Sequence, residues 1–400
     1  MAESLLSTPN FVQTPIIQVK IGDHSFGVYS KDKKGYQQYP NYIQSLEISK
    51  INGQVNSYTL VLNYAVTEYN DPNFFERVFS SVSKSRAIEF TYGDASSPNF
   101  LYRKEAAIIT RVRSNFQLES STIVYTISAI SQSALGLSGG YTFPAANKKP
   151  SDEIFRILQD PYYGLQDLFV GMRNITKVKM AGLIPQNDMP KSIEKKDNIS
   201  VMEYLQYLVS LMTPSAGDRS SGSIYILSFV DDTSGEFDGS YFKITQVDAE
   251  IEHPEAYQID IGYPGSNYVF NFNVDNDENY SIYYEYQKQL HPQEYVSRIN
   301  ADGDYEEVYA PVLSSKNAGH STNEDDKNWW TKVTQYPIKT SITIKGLLRP
   351  AILMTYVRLN IIMFGKKHIN SGLYIITKQV DKVDGNGYQT TLNMTKVSGD

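Results

Sequence analysis

The sequence predicts a mainly β chain in which two β-rich ends flank a mixed α/β middle segment. Three observations lead there. Apolar–polar alternation recurs through residues 16–130 and again through 268–397, as half-buried strands require. Tyrosine is abundant, at 31 residues, and its ring suits strands and half-wet protein interfaces. Helical periodicity is confined to three short stretches.

Along the chain, Ile16 to Ile21 alternates as a strand. Ile43 to Ile51 and Tyr58 to Val66 flank Asn52-Gly53, the dipeptide favoured in tight hairpins. Asp71-Pro72 reads as an N-cap followed by proline at the first helical position. Phe74, Phe75, Val78, Phe79 and Val82 then share one helical face, with the helix ending near Lys84. Ala87 to Tyr92, Ala106 to Val112 and Thr122 to Ile130 are three further strands. One short helix among them suggests a sandwich or barrel plugged at one end.

Residues 144–150, P-A-A-N-K-K-P, read as a linker, and Ser151 as the N-cap of a short helix. Asn198 or Ser200 caps a second helix, with Val201, Tyr204, Leu205, Leu208, Val209 and Met212 apolar and Pro214 as the stop. Ile224 to Val230 and Tyr241 to Val247 read as strands. The boundaries are therefore 1–140, 141–250 and 251–400. In the last portion Tyr268 to Val274 and Tyr280 to Tyr286 are strands, and Arg298 to Lys327 is a polar loop. Ile338 to Ile344, Val357 to Phe364, Leu373 to Val380 and Tyr388 to Val397 close the chain, the last two joined by a turn at Asp384-Gly385-Asn386-Gly387.

Composition limits function. The formal charge of −7 argues against a general nucleic-acid binder, which needs a basic face. A mildly negative wall would favour passage of phosphate over binding. Cysteine is absent, which excludes disulfides, thiolate metal sites and a cysteine nucleophile. The longest apolar stretches carry Arg358, or Glu203 and Gln206, so no membrane insertion is expected. Met1 to Asn10 lacks the basic head and apolar core of a signal peptide.

Searches for catalytic and ligand chemistry lead to none. His24, His253, His291, His320 and His368 do not pair at helical spacing, so no histidine zinc site is expected. Gly136 to Gly140 matches G-x-S-x-G, but Tyr141-Thr142-Phe143-Pro144 cannot supply the helix that a nucleophile elbow needs. Asp275, Asp277 and Asn279 resemble a calcium loop, but Tyr280 and Tyr286 stand where glycine and glutamate belong. Gly385-Asn386-Gly387 lacks the third glycine of a dinucleotide site. The expectation is no catalytic residue, no cofactor and no metal. Trp329-Trp330 reads either as an interface hot spot or as an inward-packed pair. Tyr283, Tyr284 and Tyr286 read as a strand face.

The two ends echo one another. Ile88, Phe90 and Tyr92 lead to Gly93, then to Ala106–Val112 (A-A-I-I-T-R-V), then to Tyr125–Ile130. Leu359, Ile361 and Met363 lead to Gly365, then to Leu373–Val380 (L-Y-I-I-T-K-Q-V), then to Thr391–Thr395. Duplication and the general likeness of antiparallel meanders both explain this pattern.

Residues 371–397, with Thr340–Gly346 as a strand-plus-glycine lead-in and His368–Gly372 as a loop, resemble the closing hairpin of phage baseplate hub and late-control tail proteins. The resemblance covers the last 60 or so residues by motif and the first 140 by pattern. It implies two tube-like β-barrel or sandwich domains in one chain. It also implies a homotrimer that presents six such domains to a tail tube protein on one side and a central spike protein on the other. Other baseplate proteins would be neighbours and DNA would be in transit only. The chain would be made in the host cytoplasm and reside in the virion, without enzymatic activity. The alternatives are a tail-associated cell-wall hydrolase and a host receptor-binding tail protein.

Overall fold

The computed structural model describes residues 11–32, 35–38, 40–51, 54–81, 86–94, 102–132, 134–163, 190–212, 224–232, 239–247, 256–262, 268–276, 295–299, 305–309, 338–348 and 353–399. The fold is mainly β, built on a large and mostly antiparallel sheet.

The first β-rich unit contains β1 (Pro15–Ile21), β2 (His24–Asp32), β3 (Gly35–Gln38), β4 (Ile43–Ile51) and β5 (Ser57–Ala65). Helix α1 (Phe74–Ser81) follows, then β6 (Ala87–Asp94), β7 (Tyr102–Gln117) and β8 (Thr122–Ser131). Alternation puts Leu46 and Ile48 of β4, Tyr58, Leu60 and Leu62 of β5, and Ile123, Tyr125 and Ile127 of β8 on one buried face. At β2, Gly27 has φ +93°, and a Cβ there would lie 2.2 Å from the Ile17 carbonyl oxygen.

Helix α1 closes this core, as the sequence suggested. Phe75 is fully buried, with ring centroids 5.3 Å from Phe26, 5.3 Å from Tyr64 and 5.1 Å from Tyr125. The helix begins at Phe74 rather than Pro72. Asp71 instead forms a turn in which Oδ1 accepts the Asn73 N–H at 2.9 Å, and its carboxylate pairs with Arg77. The Asn52-Gly53 turn lies outside the described residues, but its flanking strands β4 and β5 pair as expected.

The middle segment carries α2 (Ala134–Leu137), β9 (Gly140–Phe143), β10 (Ala146–Lys148), α3 (Pro150–Gln159), a 3-10 turn (Pro161–Tyr163), β11 (Lys191–Ile193), β12 (Lys196–Ser200), α4 (Val201–Met212), β13 (Ile224–Asp232) and β14 (Gly239–Val247). Two expectations are corrected here. The supposed linker holds β10, which pairs with β11. The N-cap of α3 is Lys149 rather than Ser151, because Pro150 takes the first turn, where its missing N–H costs nothing. Helix α4 is capped by Ser200. Glu203 N–H donates to Ser200 Oγ at 3.1 Å, and Ser200 N–H donates to Glu203 Oε2 at 2.8 Å, a reciprocal capping box. Ile154, Ile157 and Leu158 of α3 pack with Val201, Tyr204, Leu205 and Leu208 of α4, and the Phe143 and Tyr204 rings stack at 3.8 Å. Glu153 is buried between Lys148 (2.5 Å) and Arg156 (2.7 Å).

The second β-rich unit contains β15 (Tyr257–Ile261), β16 (Val269–Asn276), β17 (Tyr295–Ile299), β18 (Tyr305–Tyr309), β19 (Ile338–Lys345), β20 (Tyr356–Met363), β21 (Lys366–Lys367), β22 (Gly372–Asp384) and β23 (Gly387–Gly399). The stretch read as a polar loop from Arg298 contains β18, which pairs with β17. The turn at Gly385-Asn386 is a tight hairpin, with Asp384 Oδ1 accepting the Asn386 N–H at 2.8 Å.

One 15-stranded sheet runs through both units, in the order β16-β19-β23-β22-β4-β5-β8-β7-β6-β1-β2-β3, with β20, β15 and β21 branching from β22. The link is β22. Its first residues pair with β20, and Lys378–Asp384 pair antiparallel with β4.

The echo in sequence is an echo in structure. Strands β4-β5-β8-β7-β6 are neighbours in that order, and β16-β19-β23-β22-β20 repeat it antiparallel throughout. Four β-bulges fall at matching places. Thr110 and Thr377, the threonines of the two I-I-T triplets, are the extra residues of β7 and β22. Gln44 and Phe270 are the extra residues of β4 and β16. Thr110 Oγ1 donates to the Ser128 carbonyl at 3.1 Å, and Thr377 Oγ1 to the Asn393 carbonyl at 3.3 Å. Coincident bulges and side-chain bonds go beyond what a generic meander supplies, because bulges are placed residue by residue. The units differ at one flank, where β1 joins β6 antiparallel and β15 joins β20 parallel.

Candidate functional site

The junction between the two units is the most elaborate polar site among the described residues. On β22 the bulge at Thr377 shifts the side-chain phase, so Gln379, Asp381 and Val383 turn inward. Val383 and Tyr388 join the apolar core of the first unit. Beside them lies a buried polar cluster. Glu105 of β7 accepts from Lys50 Nζ at 2.8 Å, Tyr58 OH at 2.6 Å and Tyr92 OH at 2.5 Å. Asp381 accepts from Gln379 Nε2 and from Thr390 Oγ1, both at 2.7 Å. Arg103 is 2% exposed and its charge acts on Tyr92, Asp381 and Tyr388.

The electrostatics follow from burial. Asp381 is pushed above the usual carboxylate range by desolvation, a rise opposed by Lys50, Arg103 and the Thr390 hydrogen bond and helped by Glu105. Tyr92 and Tyr388 are raised well above the ordinary phenol value, first by burial. Glu105 is 0% exposed and Asp381 1%, so a substrate cannot reach either carboxylate. The cluster fixes register instead. Lys50 stands opposite Gln379 and Ile48 opposite Asp381, and a one-residue slip would turn every inward group of β22 outward.

A strap reinforces the junction. Phe11 stacks on Tyr268 at 4.5 Å, and Val12 N–H donates to the Gly346 carbonyl at 2.8 Å. Thr14 and Gln13 N–H groups donate to Asp94 at 2.9 and 3.0 Å. Gly346 sits against Tyr388 so closely that a Cβ would meet its ring at 2.4 Å.

A groove of about 790 Å³ lies beside the junction, lined by Ser49, Ile51 and Ile130 on one wall and Leu137, Met202 and Glu203 on the other. Glu203 is the one carboxylate among its described lining residues, and it is occupied in capping α4. The G-x-S-x-G stretch lies on this wall. Ser138 follows α2 and donates its hydroxyl to the Ala134 carbonyl at 2.6 Å, with β9 rather than a helix after it.

The other sequence candidates are dispersed. His24 packs edge-on against Phe74, and His368 Nδ1 accepts the Asn370 N–H at 3.2 Å. His253, His291, His320, Asp277, Asn279, Tyr283, Tyr284, Tyr286, Trp329 and Trp330 lie outside the described residues. Among the described residues no group of three histidines or carboxylates could hold a metal ion, and no helix is long and apolar enough to cross a membrane. Sequence reasoning missed Lys50, Arg103, Glu105 and Asp381. For Asp381 the one sequence trace is the consecutive apolar pair Ile375-Ile376, which breaks alternation beside the bulge at Thr377, and it does not by itself tell which face Asp381 takes.

No family model matches the sequence, and no curated protein matches it. Among solved structures, the chain is similar to a tail protein from Neisseria meningitidis, with TM-score 0.51 and 9% identity over 96% of this chain and 97% of that chain. It is also similar to a prophage tail protein from Shewanella oneidensis, with TM-score 0.51 and 12% identity over 96% of this chain and 97% of that chain. At these identities the likeness is one of fold, over the whole length of both chains.

Proposed function

We propose that this chain is a structural hub subunit of a phage-tail baseplate. Three copies form an adapter between a sixfold tail tube and a threefold central spike, and they line part of the channel through which DNA passes. The observation that carries this reading is the repeated β unit, present twice in one chain and welded through β22 and β4. A trimer of such chains offers six like units, which is what an adapter from threefold to sixfold symmetry requires. The full-length fold likeness to two tail proteins supports the same reading. The role proposed is assembly rather than enzymatic, in the virion tail.

The test is reconstitution. The chain is mixed with the tail tube and spike proteins of the same phage, and the mixture is resolved by size-exclusion chromatography and electron microscopy. The reading expects a complex holding both partners, with the chain between them. It fails if neither partner binds, or if the chain cleaves purified peptidoglycan and loses that activity when one acidic residue is replaced.

A further inference from the structure

Each β unit offers two joining edges, and among the described residues the chain pairs only one of each kind with itself. The bulged long strand of the second unit, β22, accepts the edge of β4 along Lys378–Asp384. The matching half of β7, Arg111–Gln117, pairs with β8 on one side only among the described residues. Its residues are exposed on both faces, with Val112 37% and Phe116 60% exposed. The counterpart of β4 is β16, which ends the strand order and has no second neighbour among the described residues. A seven-residue edge without proline is an open template for another strand.

We propose that in the assembled protein β16 of a second copy pairs antiparallel with the exposed half of β7, repeating between chains the junction that β4 and β22 make within one. The bulges set the register. Counting from Thr377 and Thr110, Val380 corresponds to Arg113, Lys382 to Asn115 and Val383 to Phe116. Counting from Gln44 and Phe270, Leu46 corresponds to Phe272, Glu47 to Asn273 and Ser49 to Asp275. The internal pairs Val380–Ser49, Lys382–Glu47 and Val383–Leu46 therefore become Arg113–Asp275, Asn115–Asn273 and Phe116–Phe272. The chemistry of each pair fits. Opposite charges face each other, amides face each other, and an exposed ring gains a half-buried aromatic partner. The contact is head-to-tail, because each copy gives one edge and takes the other, and it closes as a ring when the rotation between copies is threefold, as the hub reading supplies. The inference deepens the hub reading and rests on it for the number of copies.

The chain contains no cysteine, so engineered pairs report without background. Asn115→Cys and Asn273→Cys are placed together in the full chain, with each single variant and the pair Phe116→Cys with Phe272→Cys alongside. Oxidation is expected to link the double variants into trimers on a non-reducing gel, whereas a single variant stops at dimers. In a separate series, Arg113→Asp weakens self-association by about tenfold, and adding Asp275→Arg restores it. A trimer by mass that neither cysteine pair links overturns this edge pairing and leaves the hub reading standing. A chain that stays monomeric at every concentration overturns both.

Discussion

At the scale of the residue, the junction cluster makes the sharpest claims. Glu105 bonds Lys50 and two tyrosine hydroxyls in the buried cluster, so removing its charge takes from a buried ammonium the carboxylate it pairs with directly. Glu105→Gln is expected to cost about 3–5 kcal/mol in urea unfolding. A loss below 1 kcal/mol or so would mean that water reaches the cluster. Asp381 behaves differently. Its pKa in the folded chain lies above the unfolded value, first because of burial. The folded state therefore binds the proton more readily, and the contribution of this group is fully present below the unfolded pKa and lost as pH rises through the folded one. Relative to Asp381→Asn, the native chain should gain stability as pH falls from neutrality into that window. A difference in unfolding free energy that does not change with pH would contradict the assignment. None of these residues was legible in advance. Asp381 lies between Val380 and Lys382 and reads as a surface position, and only the bulge at Thr377 turns it inward.

At the scale of the element, what was legible depended on whether a local signal decided the outcome. The helix of 201–212 was readable because its apolar spacing and its Ser200–Glu203 capping box are both local. The start of α1 was misplaced by two residues because Asp71 spends its carboxylate on a turn and on Arg77 rather than on the first helical turn. Short β10 was hidden in the stretch read as a linker, and β11 in a stretch given no element, since three-residue strands carry almost no periodic signal. The plug role of α1 is open to test. Phe75 contacts rings from β2, β5 and β8, so Phe75→Ala opens a cavity at the end of the first unit. The expected cost is about 3–5 kcal/mol by chemical denaturation. Helix α4 belongs to a different core and should keep its amide protection in hydrogen exchange under native conditions. Equal loss of protection in both would show that the cores unfold as one.

At the scale of the molecule, the mainly β class and the mixed insertion were both visible in the alternation of the two ends and the helical spacing between them. The continuity of the sheet was not. It depends on β4 meeting β22 across more than 300 residues of chain, and pairing at that separation leaves no trace in a single sequence. The I-I-T echo hinted at repetition, and coincident bulges and threonine bonds turn that hint into a structural repeat. Two like units, one internal junction and, among the described residues, one unpaired edge of each kind support the proposal that the chain adds copies of itself. The most direct test is the mass of the purified chain in solution, by light scattering over a range of concentrations. The account predicts a species at three times the 45.3 kDa chain mass. A single-chain mass at every concentration would contradict it.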